Sequence, residues 1–138
     1  MPPLGLAEGL AGKLPPLVNP DVARDYVHVD DACEAFLLAA STPDQPPGVV
    51  YNVGSGAQTT LRQIVDATRQ LLNVQAAPVW GSMPDRSWDT NVWVSDPSRI
   101  MRDLGWTPKL DLEDGLLTTI DWFKLHPQQH DRYREGTA

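Results

Sequence analysis

The sequence predicts a mixed α/β fold, on three observations. Short runs rich in β-branched and aromatic residues (24–29, 49–53, 78–80 and 92–94) alternate with stretches of helical periodicity. Capping residues stand where strands should give way to helices. The 13 prolines are spread along the 138 residues, so they punctuate short elements instead of forming an extended proline-rich tract. Two strands separated by a helix within 24–53 further predict at least one parallel pair.

The elements follow in order. Leu4, Leu6, Leu10 and Leu14 line one side of an N-terminal helical stretch, weakened by Gly5, Gly9 and Gly12 and ended by Pro15-Pro16. Residues 24–29 form the first strand. Asp30-Asp31 supplies an N-cap, and the nearly all-apolar run 32–40 predicts a buried helix that stops at Ser41-Thr42-Pro43. Residues 49–53 form the second strand, closed by Gly54-Ser55-Gly56. Thr60 and Gln63 match a capping box, after which Leu61, Ile64, Val65, Thr68, Leu71 and Leu72 share one helical face. Two further short strands, 78–80 and 92–94, flank the polar loop that holds Arg86, Trp88 and Asp89. Asp96-Pro97 starts a short helix over 98–104, with Gly105 at its end. Asp111 caps a last helix with Leu112, Leu116, Leu117, Ile120 and Phe123 at spacings of one to four residues, and 127–138 is a polar, frayed tail.

Composition narrows the function. Hydrophobic residues, at 41%, suffice for a core, and no run approaches the ~20 apolar residues of a membrane span. A formal net charge of −7 argues against nucleic acid and against anionic membrane as partners, since both need a basic surface. The single cysteine, Cys33, excludes an intramolecular disulfide and, in an apolar helix, is expected to be buried and inert. Residues 1–9 contain no basic region and no long apolar stretch, so a soluble, cytoplasmic protein is expected.

Few groups are placed for chemistry. Gly54-Ser55-Gly56 follows a strand and precedes a helix, as a dinucleotide-binding loop does. However, the third glycine is missing and no acid stands near Val74 or Gln75 to hold a ribose, so a plain strand-to-helix turn is expected. His28 is either core-facing with a partner or lines a pocket. His126 and His130 are spaced i, i+4, but Pro127 lies between them and only Asp131 is at hand as a third ligand, too few for zinc. Arg86 and Asp89, with Trp88 between them, combine a planar fork for phosphate, an acceptor for a sugar hydroxyl and a ring for stacking; the alternative is a surface ion pair. Arg24 is either paired with a neighbouring acid or a second clamp on the same anion.

Arg24-Asp25-Tyr26-Val27-His28-Val29-Asp30-Asp31, Tyr51-Asn52-Val53-Gly54-Ser55-Gly56 and Arg86-Ser87-Trp88-Asp89 stand in that order. They are followed by Asp96-Pro97-Ser98-Arg99, Leu104-Gly105-Trp106-Thr107-Pro108 and the last helix. This series resembles the C-terminal part of the NAD-dependent nucleotide-sugar epimerases and dehydratases, the extended short-chain dehydrogenase/reductases, over about residues 10 to 126. In the loop, Ser87-Trp88 stands where the family has Pro-Gly. The resemblance implies a partial Rossmann-type fold, a C-terminal substrate-binding portion with short strands and about four helices over 1–126. It implies that Arg24 and Arg86 grip the diphosphate of a nucleotide-diphosphate sugar and that Asp89 holds its ribose, with Trp88 beside them.

The family's glycine loop and Tyr-x-x-x-Lys pair have no counterpart. Asp30, Ser55 and Thr137 stand four residues after Tyr26, Tyr51 and Tyr133. By the resemblance, NAD belongs to the complete family enzyme and none is expected to be held by this chain, which is expected to be inactive alone. The alternative is a binding or assembly module that partners a separate Rossmann chain or a second copy.

Overall fold

Six helices and one two-stranded ribbon make up the described part of the chain, which in the computed structural model is residues 2–82 and 92–135. The elements are α1 (Pro2–Leu10), β1 (Ala23–Arg24), α2 (Val29–Ser41), β2 (Thr59–Thr60), α3 (Leu61–Leu71), α4 (Ser98–Leu104), α5 (Leu112–Leu125) and α6 (Pro127–Glu135). None of these helices is long and apolar enough to cross a membrane.

Local signals set most helix ends. Thr60 and Gln63 form the reciprocal capping box, with Thr60 Oγ1 accepting from the Gln63 N–H at 3.2 Å and Gln63 Oε1 accepting from the Thr60 N–H at 2.8 Å. Asp111 caps α5 by accepting the Asp114 N–H at 2.9 Å. Gly105 closes α4 with φ 67°, a left-handed geometry that glycine adopts without steric cost. The predicted start of α2 shifts: His28, not Asp30-Asp31, is the N-cap, its Nδ1 accepting the Asp30 N–H at 3.2 Å. The two aspartates fall in the first turn instead, where the helix dipole favours them. α1 ends at Leu10, before Pro15-Pro16, because Gly12 takes φ 73°.

Three clusters of buried residues hold the helices. Leu6 and Ala7 of α1 meet Leu116, Ile120 and Phe123 of α5. Leu17 packs with Leu61 and Val65 of α3. Ala35 of α2, Ile100 of α4 and Trp106 form the third, against which Leu38, Tyr51 and Val53 pack. Trp106 donates its Nε1–H to the Asp31 carbonyl at 2.9 Å, and the buried Asp31 carboxylate accepts the Lys109 and Leu110 N–H groups, each at 3.1 Å. That arrangement ties the start of α2 to a segment almost 80 residues later.

Four expectations are corrected. The predicted strands do not assemble into a parallel sheet: among the described residues the only ladder is antiparallel, Ala23 opposite Thr60 and Arg24 opposite Thr59. Strand propensity sets an extended backbone, but a ladder needs a neighbour, and 49–53 and 78–80 have none here. In segment 92–94 the Trp93 carbonyl accepts from the Asp25 N–H at 3.0 Å. α2 is not buried all round, since Phe36 and Leu37 are exposed, and Cys33 is exposed with them. Finally, residues 127–135 are helical rather than frayed. Tyr133 sits edge-on to Phe123 with ring centres 5.6 Å apart, and His130 Nε2–H donates to the Ala7 carbonyl at 3.1 Å.

Candidate functional site

The site begins at β1. Arg24 donates from Nη1 to the Ala23 carbonyl at 2.6 Å, and its guanidinium lies over the Trp93 ring, 5.6 Å from the ring centre. This cation–π contact pre-orients a cationic fork on an aromatic plate. Trp93 is 61% exposed and lines an open cleft of about 500 Å³ together with Asp25, Asn52, Val53, Val94, Ser95 and Asp96.

Asp25 anchors this arrangement. Its Oδ1 accepts the Ser55 N–H at 2.7 Å and the Ser55 hydroxyl at 2.6 Å. Its Oδ2 accepts the Gly56 N–H at 3.0 Å, the Ser95 N–H at 3.1 Å and the Ser95 hydroxyl at 2.6 Å. Partial burial alone would push this carboxyl up, but the hydrogen bonds from Ser55 and Ser95 outweigh it and hold the group at about 2. One carboxylate therefore locks together β1, the glycine turn and the segment that carries Trp93.

This explains the glycine turn. Consecutive backbone N–H groups of such a turn form an anion-binding nest. Here the anion is the protein's own Asp25. The Ser55 and Gly56 amides are thereby engaged by a carboxylate of the same chain. Gly54 is needed for the close approach: a Cβ there would lie 2.6 Å from Asp25 Oδ2 and closer still to Ser95 Oγ. Gly54→Ala is accordingly expected to lower stability by about 1–3 kcal/mol, the range for overpacking. Urea denaturation checks this, and an unchanged midpoint would contradict the close contact.

Of the predicted site residues, Arg24 lies beside the cleft. Arg86, Trp88 and Asp89 lie outside the described residues. The histidines are engaged elsewhere. His126 donates from Nδ1 to the Trp122 carbonyl at 2.8 Å, and His130 to Ala7 as above, so the two nitrogens do not converge. Among the described residues no group of three metal-ligating side chains occurs. His28 both caps α2 and lines an apolar cavity of about 100 Å³ with Leu6, Tyr26, Ile64 and Thr119. Because its Nδ1 accepts from Asp30, its Nε2 carries the proton and faces Thr119 Oγ1 at 3.4 Å. Burial pushes the Tyr26 phenol above its ordinary range, with nearby Arg24 opposing.

Sequence reasoning missed Asp25, Ser55, Ser95 and Trp93 as parts of one device. A signal was present: a Gly-Ser-Gly turn offers amides that need an anion, and an acid stands directly beside Arg24.

Known proteins of the same build were found by comparison. The family model for GDP-mannose 4,6 dehydratase matches residues 3–119. A dTDP-glucose 4,6-dehydratase of Streptomyces griseus is 36% identical over 106 residues, 75% of this chain and 30% of the relative. The solved structure of UDP-glucose 4-epimerase with UDP-glucose from Thermotoga maritima is 30% identical. It covers 88% of this chain and 38% of its own, with a TM-score of 0.76. The Bordetella bronchiseptica enzyme WbmF in complex with NADH is 25% identical and covers 97% of this chain and 39% of its own, with a TM-score of 0.79. The chain thus spans less than a third of the first curated relatives' length and about two-fifths of the solved ones.

Proposed function

The chain belongs to the GDP-mannose 4,6 dehydratase family, and from that premise we propose that it is the nucleotide-diphosphate-sugar binding portion of an NAD-dependent epimerase or dehydratase. The observation that carries this reading is Arg24 held over Trp93 at the cleft and braced by the Asp25 anchor. A diphosphate carries two negative charges on a chain of net charge −7, so it needs local positive charge in fixed positions. Arg24 supplies one such charge. Arg86 is the second, Asp89 accepts from a ribose hydroxyl, and Trp88 offers a ring for stacking. In sequence, Asp89 is four residues from Trp93, which supports a common site.

These residues bind and orient; they move no proton or hydride. No tyrosine here is followed by a lysine at the required spacing, and the Ser55 and Gly56 amides of the glycine turn are taken by Asp25. When NAD is bound in the complete family enzyme it supplies hydride exchange with the sugar. The isolated chain is proposed to be inactive.

Titration calorimetry with a panel of UDP-, GDP- and dTDP-sugars tests the reading. One member is expected to bind saturably. Arg86→Ala and Arg24→Ala are each expected to weaken that binding by about 1.5–3 kcal/mol, as for charged hydrogen bonds. Equal affinity of parent and variants would overturn the assignment of these arginines, and no binding by the parent would overturn it for the isolated chain.

A further inference from the structure

The apolar cavity beside His28 plays no part in the diphosphate site. It measures about 100 Å³ and is partly open to solvent. Its wall is mostly aliphatic, with Leu6 of α1, Ile64 of α3 and Leu116 of α5 prominent in it. His28 decides its chemistry. The imidazole is 10% exposed. Its Nδ1 is committed to the α2 cap, accepting the Asp30 N–H at 3.2 Å, so Nε2 carries the proton. That N–H meets Thr119 Oγ1 at 3.4 Å, longer than the ~2.7–3.2 Å of a good N–H···O bond. Thr119 directs its own proton to the Gly115 carbonyl at 2.8 Å. A buried, weakly held donor thus faces an aliphatic space.

Gly115 is the second observation. It lies within α5, its N–H bonded to the Asp111 carbonyl at 3.0 Å, where glycine is less stable than alanine. The packing does not demand a glycine. A Cβ there would come no nearer than 3.4 Å to its neighbours, the closest being Cδ2 of His28, next to Nε2. An alanine would be tolerated, and its methyl would fill the space against the imidazole. The glycine keeps that space open.

We propose that this cavity binds a small, uncharged carbonyl compound, its aliphatic body on the Leu6, Ile64 and Leu116 wall and its oxygen accepting from His28 Nε2–H. The inference draws on neither the family nor the diphosphate site. Size limits the ligand: a dry apolar cavity of about 150 Å³ holds benzene, so this one takes a body of about five carbons. Charge limits it further. An anion would face the Asp111 carboxylate in the same wall, and a cation would set a donor against the His28 donor. Water seeks two to four polar partners, and an aliphatic wall supplies few.

The test is a nuclear magnetic resonance titration of the isotope-labelled chain with cyclopentanone, and with cyclopentane as the matched alkane that lacks an acceptor. Cyclopentanone is expected to saturate with a dissociation constant on the order of 1 mM. It should shift the Leu6, Ile64 and Leu116 methyl resonances together with the His28 Nε2–H proton. Cyclopentane should shift the methyls only and bind about two- to tenfold more weakly, the value of one hydrogen bond. Gly115→Ala is expected to melt no lower than the parent yet bind cyclopentanone about tenfold more weakly, because the added methyl crowds the filled site. Thr119→Val removes the oxygen that competes for the His28 proton, so it should raise the preference for the ketone over the alkane; it decides the matter if Gly115→Ala does not fold. Linear, unsaturated shifts with both probes would show a cavity that holds water alone and would overturn the proposal. Equal binding of ketone and alkane, or a folded Gly115→Ala that binds as the parent does, would overturn it as well.

Discussion

Trp106→Ala is expected to remove about 3–5 kcal/mol of folding stability, the range for truncating a buried tryptophan. A domain of this size has about 5–15 kcal/mol in all, so the variant should be partly unfolded at room temperature or melt many degrees earlier. Trp106 is almost completely buried between Ala35 and Ile100. It is also one of the few groups joining α2 to the distant segment that follows α4. Trp106→Phe separates the two contributions. It keeps most of the apolar contact and loses the bond to the Asp31 carbonyl, so a cost of about 1–2 kcal/mol is expected. Urea denaturation followed by far-ultraviolet circular dichroism measures both variants. A loss below about 1 kcal/mol for Trp106→Ala would contradict the packing described for the third cluster.

The second large effect belongs to Asp25. Asp25→Ala leaves the Ser55, Gly56 and Ser95 N–H groups without their acceptor, and an expected cost of about 2–4 kcal/mol follows from orphaning these donors, two of them half-buried. The same group makes stability depend on pH. Its folded carboxyl sits at about 2 against an ordinary 3.8, so the folded state holds the proton less tightly than the unfolded chain. The contribution is therefore complete above about pH 4 and is lost as pH falls toward 2. Discounted for the solvent that screens a partly buried group, it amounts to about 1–2 kcal/mol. Asp25→Asn cannot titrate, so the difference in stability between parent and variant should shrink between pH 6 and pH 2.5. A difference that stays constant over that range would show that the anchor is not an ionised carboxylate.

The consequences reach the proposed ligand site. Arg24 and Trp93 come from segments joined through Asp25 and Ser95, so a weakened anchor should lower affinity for the proposed nucleotide-diphosphate ligand without removing either side chain of the proposed site. Gly54→Ala perturbs the same junction from the other side, and the two substitutions are close enough that their effects should not add.

How much was legible in the sequence follows from the range of each interaction. The capping box at Thr60 and Gln63, the Asp111 cap, the left-handed Gly105 and the apolar face of α3 depend on residues within four positions of one another. Each could be read from the chain alone. The sheet could not. Segments 24–29 and 49–53 have the residues of strands, but propensity states only that the backbone is extended. Pairing is decided by what lies alongside, and for 49–53 nothing described does. The error at α2 has the same origin: 32–40 is apolar enough to be buried, yet only the side facing Ile100 and Trp106 is covered. The order of motifs from Arg24 to the last helix pointed to the family, and the matched residues 3–119 agree with it.

Sequence alone thus determined the helix boundaries set by caps and glycines, the family, and the identity of the arginines proposed to meet a diphosphate. Only the tertiary structure decided that Asp25 fills the glycine nest, that Asp31 is buried against Lys109 and Leu110, and that Arg24 rests on Trp93. The reason is separation along the chain. Asp25 lies 30 residues from Ser55 and 70 from Ser95, and Asp31 lies 78 from Lys109. A carboxylate is satisfied by whichever amides the fold brings to it, and no local pattern of side chains states which those will be.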